Sequence, residues 1–189
     1  FPLNGVIFFP NSQLPLNIFE KRYLEMIDFS LSTNRLLGMI QTQNNSDFYK
    51  IGCVGKINSF YETDDGKYII NLSGQKIFSI IKELPKSKNF ILADVELFNE
   101  NKNKNLSFNK EQLLYKYKIF IKNLDIKIDI NILEKVDDES LIKFIAMSCP
   151  FSNSEKQMLL ETYDINELVL KIIDLFNFYS KTNLSETIN

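Results

Sequence analysis

Histidine and tryptophan are both absent from this 189-residue chain, and there are only two cysteines. Without histidine the commonest general base and the commonest metal ligand are missing, as is every catalytic triad that runs through imidazole. Cys53 and Cys149 stand far apart with no Cys-x-x-Cys spacing. That argues against a disulfide framework and for a reducing compartment, so a cytoplasmic location is expected. A zinc site would have to combine two thiolates with carboxylates, a poor match to zinc chemistry, and neither metal nor cofactor is expected. An excess of one charge is lacking too: 22 basic residues face 24 acidic ones, a net charge of −2. Nucleic acid and anionic membranes call for a clustered basic excess. The lysines at 102, 104, 110 and 116–122 are instead interleaved with acidic, polar or apolar residues, so no nucleic-acid partner is expected. No apolar run approaches the roughly 18 residues of a membrane helix, so no membrane partner is expected either. The chain opens at Phe1 rather than methionine, and its first residues are taken to be missing or processed.

What is present is apolar. Hydrophobic residues make up 44% of the chain, with 16 phenylalanines, enough for a real core and incompatible with a disordered protein. Residues 1–98 hold all six glycines and four of the five prolines, whereas 107–182 have no glycine and one proline. The polar stretch 99–106 reads as a linker and 183–189 as a polar tail.

In the first part Val6–Phe9 reads as a strand ended by Pro10, and Pro10–Pro15 as a stiff loop. Asn17 with Glu20 has the form of a capping box for a helix to about Ser30 that buries Phe19, Tyr23 and Ile27. Glu20 and Arg22 are expected to tie the end of that helix to neighbouring strands. Strands are expected at Leu36–Thr42, through Ile51, Cys53, Gly55 and Ile57, at Tyr68–Leu72, at Lys76–Ile81, and along Ile91–Leu97 as a half-buried strand. Asp65-Gly66 marks a hairpin, because the turn needs a positive φ. In the second part Leu113, Leu114, Tyr117, Phe120, Ile121 and Leu124 form one helical stripe. Asp138–Ser148, carrying Leu141, Phe144 and Ile145, forms a helix stopped before Pro150. Ser152 with Glu155 and Asp164 with Glu167 open two further helices. The expected architecture is α+β: a bent sheet or partial barrel of about six strands with one helix, then a C-terminal α-helical bundle.

Acidic clusters offer little chemistry. Glu62, Asp64 and Asp65 belong to the hairpin turn, and Asp137, Asp138 and Glu139 suit a helix N-terminus. Cys53 alternates with apolar neighbours and reads as a small core residue, and Cys149 beside Pro150 as packing. Among the aromatic residues, Phe48, Phe60 and Tyr61 fall on strand ends and loops, where an apolar patch serves protein binding.

The motifs also carry a resemblance. The opening FPLNGVIFFPNSQLPLNIFEKRY resembles the start of the Lon substrate-binding domain family through Pro2, Leu3, Pro10, Glu20, Arg22 and Tyr23. It continues through Arg35–Ile40 with Gly38, Ile51–Ile57 with Gly52 and Gly55, Asp65-Gly66 with the following strand, and Gly74–Phe78. In the helical part Pro150, Phe151, Gln157, Leu160 and Glu161 match the family's Pro-Phe…Glu-Lys-Gln-x-Leu-Leu-Glu segment. Two departures stand out: Ile77-Phe78 where the family often has Arg-Phe, and Asn166-Glu167 where it often has Arg-Ala. No phosphate loop ending in Gly-Lys-Ser or Gly-Lys-Thr is present, and the short tail leaves no room for a protease domain. The chain therefore resembles the stand-alone bacterial proteins of the family. The resemblance implies a PUA-like fold and a non-catalytic module that binds unfolded polypeptide, an adaptor or accessory to a protease, gripping its partner in a dent between the two lobes. A second reading is a protein that binds or hydrolyses a small molecule in that cleft. It requires convergent polar groups of perturbed ionisation, and no histidine is present to build them.

Overall fold

The computed structural model describes residues 1–43, 47–98, 106–122, 124 and 128–186, with side chains to residue 181. The expected linker, apart from Leu106, lies outside the described residues. Contacts group the chain into two units, Phe1–Glu100 with Phe151–Leu160, and Asn101–Pro150 with Glu161–Asn189.

The first unit is a six-stranded mixed sheet: β1 (Pro2–Leu3), β2 (Gln13–Ile18), β3 (Leu36–Thr42), β4 (Phe48–Glu62), β5 (Tyr68–Glu83) and β6 (Ala93–Phe98). Strand order is β1-β3-β4-β5-β2, with β6 also paired to β5. The sheet is open rather than closed into a barrel. Among the described strands only the β1–β3 pair is parallel. The expected break between two strands near Gly74 does not occur. β5 runs unbroken for 16 residues and changes partner instead, pairing β2 through Tyr68–Ser73 and β6 through Ile77–Glu83. Gly74 is the pivot: Asn11 donates to its carbonyl and its own N–H reaches Ser12 O, both at 3.0 Å. A Cβ there would run into the Phe9 carbonyl. The β4–β5 hairpin turns at Gly66, at φ +74°.

The N-terminal segment differs from expectation in an instructive way. Val6–Phe9 is not a strand, yet Ile7, Phe8 and Phe9 are buried. The run lies across one face of the sheet, with the Phe8 ring over Gly55, where a Cβ would come within 2.7 Å. An apolar run signals burial but not which backbone it pairs with. The strand falls instead on Gln13–Ile18, antiparallel to β5 with Pro15 opposite Asn71, on an edge that tolerates a proline. Asn17 is thus a strand residue and caps nothing. Helix α1 (Lys21–Leu31) begins after Glu20, whose side chain makes no cap bond. Glu20 and Arg22 pair with each other at 2.9 Å in solvent, rather than with strands. Tyr23 and Ile27 are buried as expected, and Met26 with them, but Phe19 is 64% exposed, since the helix starts two residues beyond it.

Helix α5 (Asn153–Leu160) belongs by contact to this sheet unit, although the sequence pattern groups it with the helices. Ser152 N–H reaches Glu155 Oε2 at 2.7 Å and Glu155 N–H reaches Ser152 Oγ at 3.4 Å, closing the expected capping box. Lys156 Nζ donates to Gly5 O at 2.7 Å. Gln157 donates to Ile51 O at 3.1 Å and accepts from Gln41 Nε2 at 3.0 Å. Cys53, Ile57 and Leu72 form part of the core.

The second unit contains α2 (Lys110–Lys122), α3 (Ile130–Glu134), α4 (Asp138–Ser148) and α6 (Ile165–Glu186). Helix α6 carries on through Glu186, into the stretch expected to be tail. Leu113, Leu114, Tyr117, Phe120 and Ile121 are buried, whereas Leu124 and Phe144 are half-exposed. Phe120 packs on Phe176 at 4.9 Å and on Tyr179 at 5.7 Å between ring centroids. Asp137 caps α4, accepting Ser140 N–H at 3.0 Å, and Asp164 accepts the N–H groups of Asn166 and Glu167 at the start of α6. Cys149 is buried and in no disulfide.

Candidate functional site

The sheet builds a groove, and two glycines begin it. Ile40, Gly52, Phe78 and Leu97 stand opposite one another across β3, β4, β5 and β6. Residues directly opposite share a face of the sheet, so these four form one row. A Cβ on Gly52 would lie 2.7 Å from the Phe78 ring and would also strike the Met39 carbonyl, while one on Gly38 would lie 3.2 Å from that ring. The Phe78 ring therefore lies flat over two positions that have no side chain, and it paves the floor.

One wall is α1 and the segment that follows β5. Phe29 meets Phe90 at 5.6 Å between ring centroids, and Asn89 donates to Glu25 at 2.6 Å. Leu84 N–H bonds Leu92 O at 2.8 Å, which closes the segment at its base. Lys88 Nζ sits 5.5 Å from the Phe29 ring, a cation–π contact at the rim. The other side is β6, whose Val95 and Leu97 stand 37% and 51% exposed. The groove's volume is about 540 Å³, in the range of pockets that hold a ligand or a few side chains.

The lining is apolar except for Ser30, Thr33 and Asn34. Those three are already engaged at the end of α1: Ser30 Oγ donates to Leu36 O, Thr33 Oγ1 to Phe29 O, and Asn34 Oδ1 accepts Leu36 N–H. No titratable side chain lines the groove among the described residues. Side chains with shifted ionisation lie elsewhere. Asp65 in the hairpin turn is held below the usual carboxylate range by hydrogen bonds from Lys67 and Thr63. Asp137 is lowered by the backbone and side chain of Ser140. Burial raises Tyr117 within the helical unit. None of these converges with another on a common point of attack, and no group of three metal-ligating side chains occurs among the described residues.

Of the three residues expected to contact peptide, Phe48 lines the groove. Phe60 and Tyr61 lie at the far end of β4 near the hairpin, where Phe60 packs edge-on against Tyr68 at 4.8 Å and Tyr61 is 61% exposed. The structure does not bring the three together. Sequence reasoning missed Phe29, Phe90, Val95 and Leu97. The alternation of Val95 and Leu97 is a legible signal of a half-buried strand, whereas in the structure its apolar face borders an open groove.

The family model of the ATP-dependent protease La (LON) substrate-binding domain matches residues 1–177. Lon protease of Dictyoglomus thermophilum is 25% identical over 182 residues, which is 90% of this chain and 23% of that protein. Lon protease of Buchnera aphidicola subsp. Acyrthosiphon pisum is 25% identical over 88% of this chain and 23% of its own length. The chain thus spans less than a quarter of these curated relatives. The Lon N-terminal domain protein from Xanthomonas campestris superposes with a TM-score of 0.66 at 18% identity, covering 92% of this chain and 95% of that one. The N-terminal domain of Mycobacterium avium complex Lon protease superposes with a TM-score of 0.61 at 16% identity, covering 94% and 96%.

Proposed function

This chain belongs to the ATP-dependent protease La (Lon) substrate-binding domain family, and on that premise we propose that it is a non-catalytic module holding apolar segments of unfolded or partly folded polypeptide. It serves as an adaptor or accessory to a protease in protein quality control. The single observation that supports this reading most is the groove over Phe78, apolar in its lining and built by the sheet unit alone.

The physical basis is simple. Fully burying a large apolar side chain contributes about 1.5–3 kcal/mol. Phe29, Leu97 and Val95 are only partly exposed, so each adds less than that on contact. Set against the cost of ordering a flexible chain, the sum predicts weak binding, at about micromolar Kd or above. Weak capture of many sequences suits a recognition module. Among the described residues, no titratable side chain of the kind that acid–base or nucleophilic chemistry requires lines the groove.

Fluorescence anisotropy with labelled, reduced and unfolded casein tests the reading. Saturable weak binding is expected, with no heat on titration with ATP. Leu97→Glu, at a half-exposed edge position, is expected to weaken binding about tenfold while leaving the thermal midpoint unchanged. Casein binding that ignores this substitution would place the capture surface elsewhere.

A further inference from the structure

Resting on the groove reading, we propose that this protein takes its substrate as an added β-strand on the outer edge of β6, and that it prefers extended segments in which apolar residues alternate with lysine or arginine.

Among the described residues β6 pairs only with β5. Along Asp94–Leu97 its other edge therefore presents backbone N–H and C=O groups to which no described strand pairs, the feature by which sheets recruit a further strand. The side chains of Ala93–Phe98 then dictate what fits. Val95 and Leu97 face the groove, opposite Ile80 and Phe78. Asp94 and Glu96 take the other face, because successive side chains in a strand alternate. Asp94 lies 3.4 Å from Lys82 of β5, its cross-strand neighbour. Glu96 stands opposite Ser79 and is exposed, with no cation paired to it among the described residues.

A strand added here sets its own side chains directly opposite those of β6. Apolar groups extend the groove face beside Val95 and Leu97. On the reverse face a cation meets Glu96, and opposite charges across a strand pair stabilise it. The same rule disfavours a second copy of this chain. Antiparallel self-pairing of β6 sets Asp94 against Glu96, acid on acid. Slipping the register by one residue sets Val95 against an acid instead. An acidic–apolar alternation calls for a basic–apolar partner.

The test uses the full chain and short fluorescein-labelled peptides in which valine alternates with lysine, with glutamate, or with lysine but with alternate backbone nitrogens methylated. The lysine peptide is expected to bind about fivefold tighter than the glutamate peptide at low salt, and the margin should shrink as ionic strength rises. Methylation, which removes the strand-pairing donors while keeping every side chain, is expected to weaken binding about tenfold. Glu96→Lys, at an exposed position, should invert the charge preference. If the three peptides bind alike yet Leu97→Glu still weakens all of them, the groove reading stands and strand addition is overturned. If none binds, both fall.

Discussion

At the scale of single residues, the groove depends on side chains that are not there. Gly52 leaves the space that the Phe78 ring occupies, and the Met39 carbonyl closes off any retreat. Gly52→Ala is therefore expected to destabilise the chain by about 1–3 kcal/mol, the range for overpacking a filled site, as measured by urea unfolding. Gly38→Ala, where the ring is met at 3.2 Å, should cost clearly less, because the neighbour has to give by only a few tenths of an ångström. Equal costs at the two positions would mean that the ring, not the carbonyl, sets the limit. The sequence flagged both glycines only through the family resemblance. Nothing in the local pattern distinguishes a glycine that makes room for a ring from one that makes a turn, as Gly66 does at φ +74°.

At the scale of elements, helix ends were the most legible features and the first strand the least. Asp137, Ser152 and Asp164 cap the helices that the pattern assigned them, because a cap is a contact between residues two or three positions apart and needs nothing distant. Asn17 carried the same local signature and failed, because β5 recruited its segment as an edge strand. Ladder pairing with a strand more than fifty positions away outweighed a cap. The α4 cap also predicts a pH effect. The carboxyl of Asp137 is held below its ordinary value by the hydrogen bonds from Ser140. A depressed folded-state pKa gives stability that is fully present above the unfolded value of about 3.9 and is lost as pH falls through the folded one. Asp137→Ala is expected to cost about 1 kcal/mol at neutral pH. The difference from the parent chain should narrow on acidification below about pH 4, followed by circular dichroism in urea. A difference that stayed constant with pH would mean that the carboxylate does not act as the cap.

At the scale of the whole molecule, sequence order and contact order part company. Helix α5 lies between α4 and α6 along the chain, yet its contacts are with the sheet. Gln157 supplies much of the link, bonding Ile51 O and Gln41 together. Gln157→Ala removes the partner of Ile51 O and one of the two acceptors of Gln41 Nε2, which keeps Asn153 O, at a buried contact, and is expected to cost about 1–3 kcal/mol. Hydrogen exchange on the native protein should show lost protection concentrated in β3 and β4. Loss confined to α4 and α6 instead would show that α5 is energetically part of the helical unit. The capping-box helix with its Gln-x-Leu-Leu run is plain in the sequence. Which partner it buries against was not, since an amphipathic stripe specifies a need for apolar contact without specifying the surface that meets it.

The sequence by itself determined the classes of chemistry in play and the local punctuation. The missing histidines removed imidazole chemistry, the helical stripes and caps set most of the helices, and Asp65-Gly66 set the hairpin, because each of these depends on residue type and short-range geometry. Tertiary structure decided where the opening strand lies, that β5 exchanges β2 for β6 at Gly74, and that Val95 and Leu97 face an open groove while Phe60 and Tyr61 stand apart from it. Those outcomes depend on which distant surfaces meet, and hydrophobic burial is non-directional. It compels apolar residues to find cover, and only the packed sheet determines which of them are left facing an open groove.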